Sequence, residues 1–114
     1  MPTCFLETSA PKDEAKEKTF CQEVSPMMSK LMGKPEEYIM TRATSGVTMS
    51  FAGSFDPCVN IRICCIGMGD VRNQTAQEVS ELVEKVFGVA SDRVFIEFHA
   101  PEAAMYAFKG KTFA

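Results

Sequence analysis

The chain has 114 residues and a mass of 12.6 kDa, so residues 1–114 form one predicted domain and a multidomain organisation is excluded. Hydrophobic residues make up 46% and charged residues 24%, which excludes a disordered or collagen-like chain. The net charge of −3 is spread over both halves without a basic stripe, so nucleic acid is not an expected partner.

The N-terminal segment Met1–Thr8 lacks the basic region of a signal peptide and contains Glu7 before any long apolar stretch. No run of the chain is long and apolar enough to cross a bilayer, so we predict cytoplasmic synthesis and no membrane insertion. The five cysteines are odd in number, which argues against a disulfide framework. His99 is the only imidazole and has no ligand spacing around it, so neither a metal nor another cofactor is predicted.

The predicted elements alternate between extended and helical along the chain. Helical apolar stripes cover Phe20–Leu31 and Val79–Phe87, and they end at Gly33 and Gly88, residues suited to a left-handed cap. Thr75 and Glu78 fit a capping box that opens the second helix or lies within its first turn. The extended segments are Thr3–Thr8, Tyr38–Thr44, Cys58–Ile66 and Val94–His99.

An internal repeat organises these elements. When the chain is shifted by 55 positions, residues 2–53 align with 57–108 without a gap, and Gln22–Ser25 coincides letter for letter with Gln77–Ser80. A repeat of this length indicates a duplicated supersecondary unit. We therefore predict an α+β fold in which two strand-helix-strand units form a four-stranded mixed sheet with both helices on one face.

The remaining apolar segments have no obvious place inside a single subunit. Val47–Phe51 and Tyr106–Phe108 lie outside the predicted core, and the uncovered sheet face carries the polar residues Arg42, Arg62, Glu97 and His99. Short strands that pair across subunits would bury the apolar segments. We expect an oligomer.

Two motifs suggest chemistry but are incomplete. Gly67 and Gly69 follow a strand and precede a helix, as in a dinucleotide fingerprint, but Arg72 occupies the third glycine position. Cys58 could begin a Cys-x-x-Cys pair, but Ile61 stands where the second thiol should be. A glycine turn and a buried thiol explain these residues better than a cofactor or a redox site.

Pro2 is a stronger candidate. Removal of Met1 would expose a secondary amine at the start of a strand, and an α-amino group titrates near ~8 when unperturbed. A nearby cation and an apolar pocket both favour the neutral amine, which suits a general base. Lys34 lies between Gly33 and Pro35 in a rigid turn and could supply the cation. The alternatives are that Lys34 is only a solvated charge at a helix end and that Pro2 only begins an edge strand.

The chain resembles the family of macrophage migration inhibitory factor and D-dopachrome tautomerase, in the tautomerase superfamily. The resemblance covers essentially the full chain and rests on segments that occur in one order: Met1-Pro2, Gly33-Lys34-Pro35 with Tyr38-Ile39-Met40, Met49–Ser54 with Asp56-Pro57-Cys58, Cys65-Ile66-Gly67, Asp92–Ile96 and Thr112–Ala114. It implies a homotrimer with active sites between subunits and keto-enol tautomerisation of small aromatic keto acids, such as phenylpyruvate, or of dopachrome-like substrates.

The resemblance also assigns residues. Pro2 is the implied catalytic base, Lys34 the implied ligand of the substrate carboxylate or carbonyl, and the Ile66 N–H an implied hydrogen-bond donor. Further substrate-binding positions are Phe95, Glu97, Tyr106 and Phe113. Phe95 stands where the family usually has a Tyr whose hydroxyl faces the pocket from the adjacent subunit. Glu97 stands where the family commonly has an Asn that binds substrate, and Tyr106 replaces a smaller apolar residue.

Two expectations follow from the resemblance. Glu97 should repel acidic substrates unless Arg42, Arg62 or Lys34 pairs with it. The alternative function is a cytokine-like ligand of a cell-surface receptor, exported by a non-classical route, with a vestigial pocket.

Overall fold

The computed structural model describes residues 1–114 as a four-stranded sheet with two helices packed on one face. In chain order the main elements are β1 (Thr3–Thr8), α1 (Glu14–Met32), β2 (Met40–Thr44), β3 (Val59–Cys64), α2 (Arg72–Phe87), β4 (Val94–His99), β5 (Ala107–Phe108) and β6 (Lys111–Thr112). The sheet order β2-β1-β3-β4 joins two parallel pairs through an antiparallel centre, which confirms the predicted pair of strand-helix-strand units.

Alternation along the strands separates the two faces of the sheet. In β3, Val59, Ile61 and Ile63 are buried against the helices, whereas Arg62 is exposed on the other face. The helices supply the facing half of the core, which includes Phe20, Val24, Met28, Val79 and Val83. Neither helix combines the length and the apolar composition needed to cross a membrane.

Both helices end as predicted. Gly33 and Gly88 adopt left-handed conformations, with φ of 66° and 71°, and each donates its N–H back to the last turn of its helix. Thr75 lies within the first turn of α2, which begins at Arg72, as one of the two alternatives expected, but the predicted capping bond is absent because the buried hydroxyl of Thr75 makes no hydrogen bond. Val71 precedes the helix and provides no capping side chain, so no capping residue in the sequence marks the start of α2.

The strands differ from the predicted segments in several places, and β3 covers Val59–Cys64 rather than Cys58–Ile66. Glu36–Tyr38 forms a short 3-10 turn, so β2 starts at Met40 rather than at Tyr38. Phe51 pairs only with Ser54 in a tight turn, and the segment around Val47 is not a strand within the subunit. Near the C-terminus, β5 and β6 form a hairpin.

Candidate active site

An apolar pocket opens where β1 begins. Its volume is about 280 Å³, and its lining residues come from the N-terminus, the turn after α1, the end of β3 and the C-terminal segment: Met1, Lys34, Pro35, Tyr38, Ile66, Ala103 and Phe113. One cationic side chain among apolar walls is the composition expected of a site for a small anionic organic ligand.

The N-terminal residues are held at the rim of this pocket. Pro2 is fully buried, and its carbonyl accepts a hydrogen bond from the Met40 N–H at 3.2 Å, which fixes the start of β1 beside β2. Met1 is half-buried and lines the cavity. While Met1 is attached, the Pro2 nitrogen is a tertiary amide without a basic lone pair. Whether this nitrogen can act as a base therefore depends on removal of Met1.

The backbone of Lys34 is tied to the end of α1. Its N–H donates to the Ser29 carbonyl at 3.2 Å, and the Ser29 hydroxyl donates to the Lys34 carbonyl at 2.6 Å. The left-handed Gly33 turns the chain so that both bonds can form. Lys34 takes part in no ion pair of the subunit, so its ammonium is available to a ligand.

The floor of the pocket is formed where β3 ends. The Cys65 N–H donates to the His99 carbonyl at 2.9 Å, whereas the Ile66 N–H donates to no group of the subunit. Burial raises the pKa of the Cys65 thiol, and the positive N-terminus and Lys34 oppose that rise. The pocket therefore has two cationic groups near one free backbone donor.

Aromatic side chains form the mouth of the pocket. Tyr38 meets Phe108 edge-on at 5.5 Å between ring centroids, and Phe108 stacks on Phe113 at 6.5 Å. The Phe113 N–H donates to the carbonyls of Tyr106 and Ala103, at 3.0 and 3.2 Å. Burial raises the pKa of the Tyr106 hydroxyl above its usual range.

Phe95 and Glu97 lie elsewhere on the subunit. Both project from the uncovered face of the edge strand β4, and neither lines the pocket. The Glu97 carboxylate is 3.2 Å from His99 Nε2 and 3.8 Å from Arg62 Nε, so it has cationic or polar neighbours on its own sheet. A role for these two residues in a pocket requires a second subunit.

The structure gathers Lys34, Ile66 and Phe113 in one cavity, with Pro2 next in the chain to the lining residue Met1 and Tyr106 against Phe113. The residue-by-residue reasoning missed Pro35, Tyr38 and Ala103 as lining residues. Tyr38 was missed because it ends the short 3-10 turn Glu36–Tyr38, which no periodic pattern in the sequence indicates. No three His, Cys, Asp or Glu side chains are gathered as metal ligands.

Comparisons with known proteins agree with this architecture. The family model described as Macrophage migration inhibitory factor (MIF) matches residues 1–114. A macrophage migration inhibitory factor homolog of Brugia malayi is 34% identical over 116 residues, with 99% of each chain covered. A Xenopus laevis macrophage migration inhibitory factor is 29% identical with 100% of each chain covered.

Solved structures give the same result. The crystal structure of a macrophage migration inhibitory factor homologue from Prochlorococcus marinus has a TM-score of 0.93 and 30% identity, with 98% of this chain and 99% of that chain covered. An Entamoeba histolytica protein at 21% identity shares the fold with a TM-score of 0.92 over 98% of both chains. The full-length match, the duplicated fold and the conserved chain length agree, and the chain belongs to the macrophage migration inhibitory factor family.

Proposed function

We propose that the chain is a keto-enol tautomerase that uses the Pro2 amine, after removal of Met1, as its general base. The observation that carries the proposal is the pocket itself, in which the N-terminus, Lys34 and the free N–H of Ile66 meet between apolar and aromatic walls. Burial and a neighbouring cation both favour the neutral form of an N-terminal amine, and the neutral amine can accept a proton.

The proposed reaction moves one proton from carbon to oxygen. The Pro2 nitrogen accepts a proton from the carbon next to the keto group, and the electron pair of that C–H bond forms the enol double bond. Negative charge develops on the keto oxygen, where the Lys34 ammonium or the Ile66 N–H stabilises it. A proton from solvent then adds to that oxygen and completes the enol, and the Pro2 nitrogen returns its proton to solvent, which restores the amine and leaves no net change in protons.

The walls of the pocket favour a small aromatic keto acid. The rings of Tyr38 and Phe113 offer faces and edges on which a phenyl group can pack, and Lys34 can pair with a carboxylate. We infer phenylpyruvate-like or dopachrome-like compounds as substrates. Because Arg62 and His99 lie close to Glu97, the repulsion of acidic substrates should be smaller than an isolated carboxylate would cause.

Initial rates on p-hydroxyphenylpyruvate test the proposal. Pro2→Gly keeps an N-terminal amine but loses the rigid secondary ring, and kcat/KM should fall about tenfold or more, within the range that general-base groups contribute. Lys34→Ala should raise KM, whereas Lys30→Ala, at the exposed end of the same helix, should not. Equal rates for Pro2→Gly and the parent protein would exclude the proline base.

The names of the relatives favour one second candidate, a ligand that acts on macrophage migration through a cell-surface receptor. The Pro2→Gly variant separates the two, because a receptor ligand with a vestigial pocket should keep its signalling activity when turnover is lost.

A further inference from the structure

Arg93 stands out because its guanidinium binds backbone rather than a carboxylate. It ends the short turn Ser91–Arg93 directly before β4, and it reaches across to the loop that follows β2. Its Nε donates to the Pro57 carbonyl at 2.9 Å, and Nη2 contacts the carbonyls of Asp56, Phe51 and Ser54 at 2.9, 3.2 and 3.4 Å. No ion pair of the subunit involves Arg93.

The loop that Arg93 holds has little other support. Phe51 and Ser54 close a tight turn through reciprocal backbone hydrogen bonds of 2.9 and 3.0 Å, with Ala52 and Gly53 at positive φ. Phe55, which follows the turn, is 78% exposed. The planar guanidinium of Arg93 binds four carbonyls spread over seven residues and therefore fixes this loop relative to β4. The ammonium of a lysine, a single point charge, could not do so.

The same guanidinium also orders an aromatic pair. Its central carbon lies 5.2 Å from the Phe51 ring centroid, and the Phe51 ring meets Phe95 edge-on at 4.9 Å. Phe95 is 62% exposed on an edge strand, and Phe51 is its only aromatic neighbour. Without this contact the Phe95 ring would be free to sample several rotamers.

We propose that Arg93 is a positioning residue for the substrate pocket: it holds Phe51, and Phe51 fixes the ring of Phe95 in the orientation that a neighbouring subunit receives. The inference rests on the proposed function and on the expected trimer, in which the exposed ring of Phe95 would reach the pocket of a neighbouring subunit. Arg93 acts on binding of the aromatic substrate and not on proton transfer at Pro2, because it lines no part of the pocket that contains the N-terminus.

The chain has no tryptophan, so Phe95→Trp places a single fluorescent probe at the position in question. In that background, Arg93→Lys retains the charge but removes the fork, and Phe51→Leu removes the supporting ring. Both variants should increase the local motion of the Trp, which is measured by anisotropy decay. Both should also raise the Kd for p-hydroxyphenylpyruvate, measured by fluorescence quenching, about three- to tenfold, as expected for loss of one or two hydrogen bonds. Phe51→Tyr, which keeps the ring, and Arg72→Lys, at the exposed start of α2, should change neither quantity.

Steady-state kinetics with Phe95 retained complete the test. Arg93→Lys should raise KM for p-hydroxyphenylpyruvate with kcat and the acid limb of the pH profile unchanged, whereas a general loss of structure would lower all of them. An unchanged anisotropy in Arg93→Lys would overturn the inference, and so would greater motion without any change in Kd. The fluorescence and Kd measurements need no turnover, so an inactive parent protein or an active Pro2→Gly variant would refute the proposed function without deciding the role of Arg93.

Discussion

Replacing Glu17 should remove a pH-dependent part of the stability. This carboxylate lies in the first turn of α1 and accepts three hydrogen bonds, from the Ser45 N–H at 2.8 Å, the Ser45 hydroxyl at 2.6 Å and Lys12 Nζ at 2.9 Å. The Ser45 hydroxyl bond, followed by Lys12 and the Ser45 N–H, lowers the pKa of Glu17 to about 2. Glu17 therefore joins the start of α1 to the residue that follows β2.

The size of the effect follows from that pKa. A shift from 4.5 to about 2 corresponds to an upper limit of ~3 kcal/mol in the free energy of unfolding, at ~1.4 kcal/mol for each tenfold change in acidity. The Lys12 side chain is 65% exposed, so solvent screens its share of the interaction. We expect Glu17→Gln to lower the free energy of unfolding by about 2 kcal/mol at pH 7, or roughly 8 °C in Tm for a domain of this size.

The sign of the pH dependence is fixed by the direction of the shift. A carboxyl whose folded pKa is lowered stabilises the protein fully above its unfolded pKa, and that stability is lost as the pH falls towards the folded pKa. The difference in Tm between wild type and Glu17→Gln should therefore be constant above pH 5 and shrink between about pH 4.5 and 2.

Thermal unfolding at several pH values and one protein concentration provides the assay. Glu14→Gln is the matched control, because Glu14 lies in the same turn and pairs with Lys18 at 3.4 Å, with both side chains more than 70% exposed. That control should change Tm by only a small amount. A Glu17→Gln protein whose Tm follows that of wild type at every pH would refute the reasoning.

Three further predictions follow from single contacts and from assembly. Thr75→Val should leave the free energy of unfolding unchanged or raise it by up to ~1 kcal/mol in urea titrations, since the buried hydroxyl has no partner. A fall of more than ~1 kcal/mol would mean that the hydroxyl does make a hydrogen bond. Ser29→Ala removes the 2.6 Å bond to the Lys34 carbonyl and should raise KM about two- to tenfold with kcat retained; an unchanged KM would mean that Lys34 needs no such support. Light scattering should give a mass near three times 12.6 kDa, and a stable monomer at micromolar concentration would contradict the trimer and the shared site.

The fold was accessible to sequence reasoning because its signals are local and repeated. Alternation in Val59–Cys64, the two helical stripes and the glycines that end them each specify one element, and the duplication specifies how the elements combine. Thr75 lies inside the first turn, one of the two places expected for it, but its type alone did not reveal that its hydroxyl is buried without a partner. The short 3-10 turn before Met40 also escaped prediction, since Glu36–Tyr38 carries no periodic pattern.

The site was only partly accessible. The rigid Gly33-Lys34-Pro35 turn indicated a placed cation, and the structure puts Lys34 in the pocket. The free N–H of Ile66 and the position of Met1 depend on how distant segments meet, which no local pattern encodes. Phe95 and Glu97 lie on an open sheet face, so any part they take in a pocket would require subunit association, which one chain does not show.

The most direct test of the central claim compares two forms of the protein that differ only in Met1. The form with Met1 removed and the form that retains it are separated, identified by mass spectrometry and assayed for kcat/KM on p-hydroxyphenylpyruvate as a function of pH. If the Pro2 amine is the base, activity belongs to the form without Met1, and its acid limb moves to higher pH in Lys34→Ala because a neighbouring cation is lost. Equal kcat/KM in the two forms would contradict the claim, because the Pro2 nitrogen of the longer form is an amide that cannot accept the proton.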